Sequence, residues 1–363
     1  MGGCSRPREW AMRYAVVMAG GAGTRLWPAA RRDSPKQLQS LIFEEPLIVE
    51  TVKRLADVYD INRIVIVTAG RYADAIHGVL PDLPIENIIS EPFGRNTAAA
   101  IALAALRVAE EDPEAVFAVF PADHVILKPE ELFKGLDFAE KLARSHRVVD
   151  IGVPPSHAET GYGYIELGET LEKSGKLVAH AVKRFVEKPD AERAKEYLES
   201  GNYIWNSGMF VWQARKFLEA LQELLPNTYE RLSAAFASQS PQDLDRAYEA
   251  IEDISVDYAI MERVSDVVAL SIDFGWRDIG DWAALYDMME KDDAGNAFEG
   301  EHLAIDTEGC LFLSSKRVIA AVGLRDLVVV DTEDVVMILP RERAQEVKQL
   351  LEKVKESSRE DLL

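Results

Sequence analysis

Short apolar runs alternate with longer amphipathic stretches through the first 150 residues of this chain. Tyr14-Ala15-Val16-Val17-Met18 is apolar and runs straight into glycines, the pattern of a buried strand. A helical stretch follows near 46–58, then Ile64-Val65-Ile66-Val67 reads as a second strand and 85–89 as a third. Asn96 is placed as the N-cap of a long alanine-rich helix reaching about 111. The next strand is 115–120 and the next helix 130–144. Strands alternating with helices, and apolar along their whole length, predict a mostly parallel sheet covered on both faces.

The pattern changes after Gly152. Segments 161–165 and 178–185 read as antiparallel strands, 191–200 and 214–225 as helices, 233–252 as partly helical and 267–272 as a strand. Glycines, aspartates and Asn296 mark a boundary at 291–300. Beyond it, apolar triplets to quintets at 303–305, 311–313, 318–320, 327–330 and 335–338 predict a small all-β module. A last helix begins near Pro340. Its stripe of Val347, Leu350, Leu351 and Val354 suits packing on that module or, as the alternative, a dimer contact. The expected organisation is a disordered tail at 1–12, an α/β domain at 13–292 with a Rossmann-like, mostly parallel mixed sheet, and a β module with its helix at 300–363.

Composition narrows the chemistry. The net charge of −21 argues against nucleic-acid binding, which calls for a basic face. It leaves room for a local cationic nucleotide site. The two cysteines, Cys4 and Cys310, form no Cys-x-x-Cys pair, so they support neither a zinc site nor a redox motif, and this usage fits a reducing cytoplasm. No signal-peptide pattern opens the chain, and no apolar run approaches the ~18 residues of a membrane span.

The segment Gly20-Gly21-Ala22-Gly23-Thr24-Arg25-Leu26-Trp27-Pro28 follows the first strand directly. Glycines let backbone N–H groups crowd around an anion. The dinucleotide fingerprint fails at its third glycine, where Leu26 stands, and no Gly-Lys-Ser/Thr follows to make a P-loop. What remains is a glycine loop carrying Arg25, with Lys36 shortly after in Ser34-Pro35-Lys36-Gln37. On its own this also suits a tight turn with two solvated cations.

Asp123 closes the run Phe120-Pro121-Ala122-Asp123-His124, and Asp278 sits in Trp276-Arg277-Asp278-Ile279-Gly280-Asp281. Ligands in open α/β sheets bind at the carboxyl ends of strands. One aspartate from each place suits a single Mg²⁺, an ion that takes one or two carboxylates and completes its shell with phosphates and water. Asp281 is the alternative to Asp278, and each aspartate alone also reads as a cap or turn residue. Gly163 in a glycine-rich aromatic run, Glu187-Lys188 ahead of Pro189, and Asn206 in Trp205-Asn206-Ser207-Gly208 offer contacts for a hydroxylated, phosphorylated ligand. A hairpin turn at Gly163 and a strand start at Trp205 are the structural alternatives.

Taken together, these segments, with Glu91-Pro92-Phe93-Gly94-Arg95-Asn96-Thr97-Ala98, resemble the sugar-nucleotide pyrophosphorylases from about Tyr14 to the last helix. Within that family they are most similar to the branch that joins GTP to mannose 1-phosphate. The resemblance implies a nucleotidyltransferase sheet of the glycosyltransferase-A kind and a left-handed β-helix-like C-terminal module. It implies that Gly20, Gly21, Gly23, Thr24 and Arg25 hold the triphosphate, with Asn96 and Thr97 in the nucleotide-binding segment. Arg25, Lys36 and Lys188 would act in catalysis, Asp123 and Asp278 would hold Mg²⁺, and Gly163, Glu187, Lys188 and Asn206 would contact the sugar phosphate. Longer relatives add an isomerase domain, so length favours a single-function form. A homodimer through the β module is expected, and glucose 1-phosphate with UTP or dTTP is the rival substrate pair. A homologue kept for regulation without catalysis is a more distant rival.

Overall fold

The computed structural model describes residues 12–146 and 148–363. The expected tail therefore lies outside the described residues except for Met12, as does Cys4. In chain order the regular elements are β1 (Arg13–Met18), α1 (Leu47–Ala56), β2 (Ile64–Ala69), α2 (Ala73–Val79), β3 (Ile88–Glu91), α3 (Asn96–Glu111), β4 (Val116–Pro121), β5 (His124–Ile126) and α4 (Pro129–Ala143). Then come β6 (Val148–Val153), β7 (Tyr164–Ser174), β8 (Leu177–Val186), α5 (Ala191–Ser200), β9 (Tyr203–Gln213), α6 (Ala214–Leu224), α7 (Pro226–Ser238), α8 (Pro241–Ala250) and β10 (Val267–Ser271). The chain closes with β11 (Trp276–Asp278), α9 (Trp282–Met288), β12 (Ala297–Glu299), β13 (His302–Ile305), β14 (Leu311–Ser314), β15 (Ile319–Val322), β16 (Leu327–Asp331), β17 (Val336–Pro340) and α10 (Val347–Glu356). Among the described residues no helix is long and apolar enough to cross a membrane.

The chain divides into two compact units that interleave in sequence. The larger contains the described residues up to Gly20, Val52–Ala122 and Ile126–Trp276; the smaller contains Gly21–Thr51, Asp123–Val125 and Arg277–Leu363.

The larger unit is built on a nine-stranded mixed sheet in the order β3-β2-β1-β4-β9-β6-β10-β8-β7. β1 runs parallel to β2 and β4, with Val17 opposite Ile66 and Phe120. β9 runs antiparallel to both β4 and β6. The strands β1, β2 and β4 are buried along most of their length, as expected of strands covered on both faces. Ala98–Ala105 of α3 lie against this core, where small side chains allow close approach to the sheet.

Two local expectations need correction. Residues 85–87 form a 3₁₀ turn after Pro84, closed by Asn87 N–H to Pro84 O at 2.9 Å, and pairing with β2 starts only at Ile88. Proline has no N–H for a ladder and fixes its own φ, which favours a turn there. Asn96 is the first helical residue rather than an extended N-cap: it takes φ +63°, and its Oδ1 accepts from Thr97 N at 3.0 Å. The next N–H of α3, that of Ala98, goes to Ile254 O, so the helix start is satisfied partly by a distant segment.

In the smaller unit the chain passes back and forth between two ladders. One is β12-β14-β16-β17 and the other β13-β15. Ala297, Leu311 and Val328 lie side by side in parallel register, as do His302 and Ile319. This repeated return to parallel register makes the module β-helix-like. The stripe on α10 packs here, with Val347 and Leu351 buried beside Leu311, Val328 and Leu339, whereas Leu350 faces solvent. The segment after the glycine loop joins the same core through Leu26, Trp27, Ala30, Leu41 and Leu47.

Candidate active site

The glycine loop owes its shape to two constraints. Gly23 sits at φ +63°, and a Cβ there would lie 2.5 Å from Lys36 Cβ, so only glycine fits. Gly21 has open space on its side-chain face, so its glycine is not required by packing. Thr24–Leu26 then make one 3₁₀ turn, closed by Leu26 N–H to Gly23 O at 2.9 Å. Buried Leu26 and Trp27 fix the turn from below, with Trp27 Nε1–H donating to Leu362 O at 2.7 Å and Trp27 O accepting from Trp282 Nε1 at 3.0 Å.

Packing against Gly23 extends Lys36 into a carboxylate pair. Its ammonium is ion-paired with Asp123, lies 3.9 Å from Asp278 Oδ1, and donates to Ile279 O at 3.1 Å. Burial alone would lower the Lys36 pKa, but the two aspartates outweigh it and hold the ammonium above its ordinary value. For Asp123 the balance is the same in mirror image. Burial opposes ionisation, and Lys36 with His124 overcomes it, so the carboxyl stays below the usual range. Gly280 lies beside both Arg25 and Asp278: a Cβ there would be 3.6 Å from the Arg25 Nη atoms and 3.5 Å from Asp278 Oδ2, ordinary contact distances.

Both carboxylates therefore reach one point, now held by an ammonium. That donor set fits a hard dication. Among the described residues no cluster of three or more metal-ligating side chains occurs. Asp281 has partners of its own: its Oδ1 caps α9 by accepting from Ala284 N at 2.9 Å, and its other oxygen accepts from Gln345.

In the larger unit, Gly163, Glu187, Lys188 and Asn206 come together. β8 ends at Val186, and Lys188 takes φ +48°. This break lets neighbouring residues turn to one side, with Lys188 Nζ 2.7 Å from Glu187 Oε1. A Cβ at Gly163 would stand 2.5 Å from Glu187 Oε2, so this glycine makes room for that carboxylate. The Asn206 amide is oriented at both ends: Oδ1 accepts from Gly208 N at 2.8 Å, and Nδ2 donates to Asp257 Oδ1 at 3.0 Å. Thr97 Oγ1 accepts from Val256 N at 2.9 Å, which ties the start of α3 to the same segment as Asp257, while Asn96 is exposed.

Three acids here carry no role from sequence. Asp257 opens a π-helical turn, 257–261, of a kind often found at functional sites. Burial and then the Glu187 charge push its carboxyl up to about 6. Asp150 is fully buried, neither of its oxygens has a hydrogen-bond partner, and burial followed by Asp257 pushes its pKa well above the usual range. No local motif marks either residue. Glu91 opens a recognisable motif but has no function from it. It is 3% exposed, and its Oε2 lies 3.3 Å from the place of a Gly20 Cβ. Tyr248 OH donates to its Oε1 at 3.0 Å, yet burial wins and raises its pKa to about 7.

This has a consequence for stability. Above the unfolded pKa of 4.5 an unfolded chain gives up a proton that folded Glu91 keeps until about 7, so stability falls across that window as pH rises. Glu91→Gln should remove this loss and stabilise the fold at pH 8 by up to ~3 kcal/mol. At pH 4 its melting temperature should match that of the unsubstituted chain. Equal shifts at both pH values would refute the assignment.

Comparison with known proteins gives a consistent picture. Residues 14–295 match the nucleotidyl transferase family model, and 300–354 match the MannoseP isomerase/GMP-like beta-helix domain. A mannose-1-phosphate guanylyltransferase of Klebsiella pneumoniae is 38% identical over 357 residues, covering 96% of this chain and 75% of its own length. The alginate biosynthesis protein of Pseudomonas aeruginosa is 36% identical, covering 93% of this chain and 71% of its own length. Among solved structures, a mannose-1-phosphate geranyltransferase from Thermus thermophilus superposes with a TM-score of 0.85 at 33% identity, covering 94% of this chain and 99% of that one.

Proposed function

We propose, from the premise that this chain belongs to the nucleotidyl transferase family and within it to the mannose-1-phosphate guanylyltransferases, that it transfers GMP from GTP to α-D-mannose 1-phosphate. The observation that carries this reading is the convergence of Asp123 and Asp278 on Lys36 beside the glycine loop.

The reaction is an in-line displacement. A phosphate oxygen of the sugar phosphate forms a bond to the α-phosphorus of GTP, the α–β bridging bond breaks, and pyrophosphate leaves with the bond's electron pair. No side chain needs to form a covalent intermediate, so catalysis is positioning and charge stabilisation. The loop backbone and Arg25 hold the triphosphate, and Lys36 supplies a localised positive charge as pyrophosphate leaves. In the larger unit Lys188 meets the acceptor phosphate, while Glu187 and Asn206 accept and donate to sugar hydroxyls across the space left by Gly163. Asn96 and Thr97 serve the nucleotide. Asp123 and Asp278 would hold Mg²⁺, which when bound neutralises phosphate charge.

Pyrophosphate release, measured with Mg²⁺ against a panel of triphosphates and sugar 1-phosphates, tests the reading. GTP with mannose 1-phosphate should be the best pair. Preference for UTP or dTTP with glucose 1-phosphate would replace it, and silence across the panel would refute catalysis. The assembly proposed is a homodimer through the β-helix-like module, where Leu303, Ile305, Val322, Val336 and Ile338 are each more than half exposed. Light scattering should give twice the chain mass, and Ile305→Asp or Ile338→Asp should halve it. A monomeric unsubstituted chain would defeat the proposal.

A further inference from the structure

Arg25 keeps most of its guanidinium fork uncommitted. Among the described residues its one side-chain hydrogen bond runs from Nη1 to Oε1 of Gln345, at 3.4 Å, and no carboxylate lies within ion-pair distance. Gln345 belongs to the 3₁₀ segment Arg341–Glu346 that leads into α10. We propose that Gln345 is a positioning residue for Arg25: an uncharged tether that aims the guanidinium over the glycine loop while leaving its charge free for an oligophosphate. The proposal rests on the reading that this loop holds the triphosphate.

The orientation of the Gln345 amide is not arbitrary. Its Nε2 donates to Asp281, whose carboxylate can only accept. That turns Oε1 toward Arg25, which can only donate. Asp281 is itself fixed, because its Oδ1 caps α9. A chain of directed contacts thus runs from the start of α9 through Asp281 and Gln345 to Arg25, all within the smaller unit.

The neutrality of the tether matters. A carboxylate at this position would pair with the guanidinium by charge-assisted bonds, and any phosphate would then have to displace it. It would also face Asp281 with like charge. A glutamine orients without neutralising, and at 3.4 Å its grip is loose enough to release Nη1 onto a phosphate oxygen. The β-helix-like module would then contribute directly to the anion site.

The test uses the full chain with Gln345→Met and Gln345→Glu, each alone and combined with Arg25→Ala. Inorganic tripolyphosphate is the probe, titrated by calorimetry, and melting temperatures check folding. Gln345→Met should weaken tripolyphosphate roughly 3- to 10-fold, the size of one lost orienting hydrogen bond. Gln345→Glu should weaken it by more than about 10-fold. In turnover assays both should raise KM for GTP and leave kcat nearly unchanged. In the Arg25→Ala background Gln345→Met should not weaken binding further, because the pair acts as one unit. Equal losses from Gln345→Met with and without Arg25, or unaltered binding in Gln345→Glu, would overturn the tether. Because the binding arm needs no turnover, a chain that binds tripolyphosphate yet releases no pyrophosphate defeats the catalytic reading alone.

Discussion

Lys36→Ala should lower kcat by on the order of 10²–10³-fold, the typical loss when one charge-stabilising donor is removed from a transition state. The structure adds a second effect. Lys36 is 8% exposed and separates Asp123 from Asp278, so its removal leaves two like charges facing each other. Breaking a fully buried ion pair costs ~3–5 kcal/mol, and the partial exposure of both carboxylates puts this case below that range, at about 2 kcal/mol. Mg²⁺ should then raise the melting temperature of the variant more than that of the unsubstituted chain, because a cation can take the place the ammonium leaves. An unchanged kcat would remove Lys36 from the mechanism. A melting temperature indifferent to Mg²⁺ would remove the aspartates from the metal.

Asp123→Ala is expected to abolish Mg²⁺-dependent turnover at every Mg²⁺ concentration, since Asp278 alone offers one ligand. Its folding penalty should be smaller than that of Lys36→Ala. The lysine keeps Ile279 O at 3.1 Å and Asp278 at 3.9 Å, and no carboxylate is left without a counter-charge. Pyrophosphate release and thermal melting, measured across a Mg²⁺ titration, separate the two quantities. Retained activity that still rises with Mg²⁺ would mean that another residue holds the ion.

These two residues also show how legible the site was. Gly23-Thr24-Arg25 and Lys36 stand out locally, because a glycine at a strand end and a cation just beyond it answer to one short-range demand, backbone room for an anion. Asp123 stands out because it follows a recognisable strand, at the end where ligands of open α/β sheets bind. Asp278 is separated from it by 155 positions, and in the sequence Asp281 stands beside it as an alternative that the family resemblance does not favour. The folded chain separates the two by hydrogen bonding: Asp281 is used up at the start of α9, and Asp278 faces Lys36. Asp150, Asp257 and Gln345 carry no sequence signal at all. Their significance lies in burial and in partners brought from far along the chain, and local pattern contains neither.

Element type was readable wherever periodicity and punctuation agreed, as in the buried strands β1, β2 and β4 and the helices α4, α5 and α6. It slipped where a proline turn opened the run at 85–87, because an apolar run states that residues are buried and not which backbone they adopt. The order of residues therefore settles most of the elements, the place of the glycine loop and the kinds of charge available. Long-range packing alone assigns the glycine loop from Gly21 onward to the same unit as the β-helix-like module, sets Lys36 between two aspartates, and raises the Asp257 and Glu91 carboxyls to about 6 and about 7. The reason is that burial and charge pairing depend on which surfaces meet, and here the partners lie up to 335 residues apart along the chain.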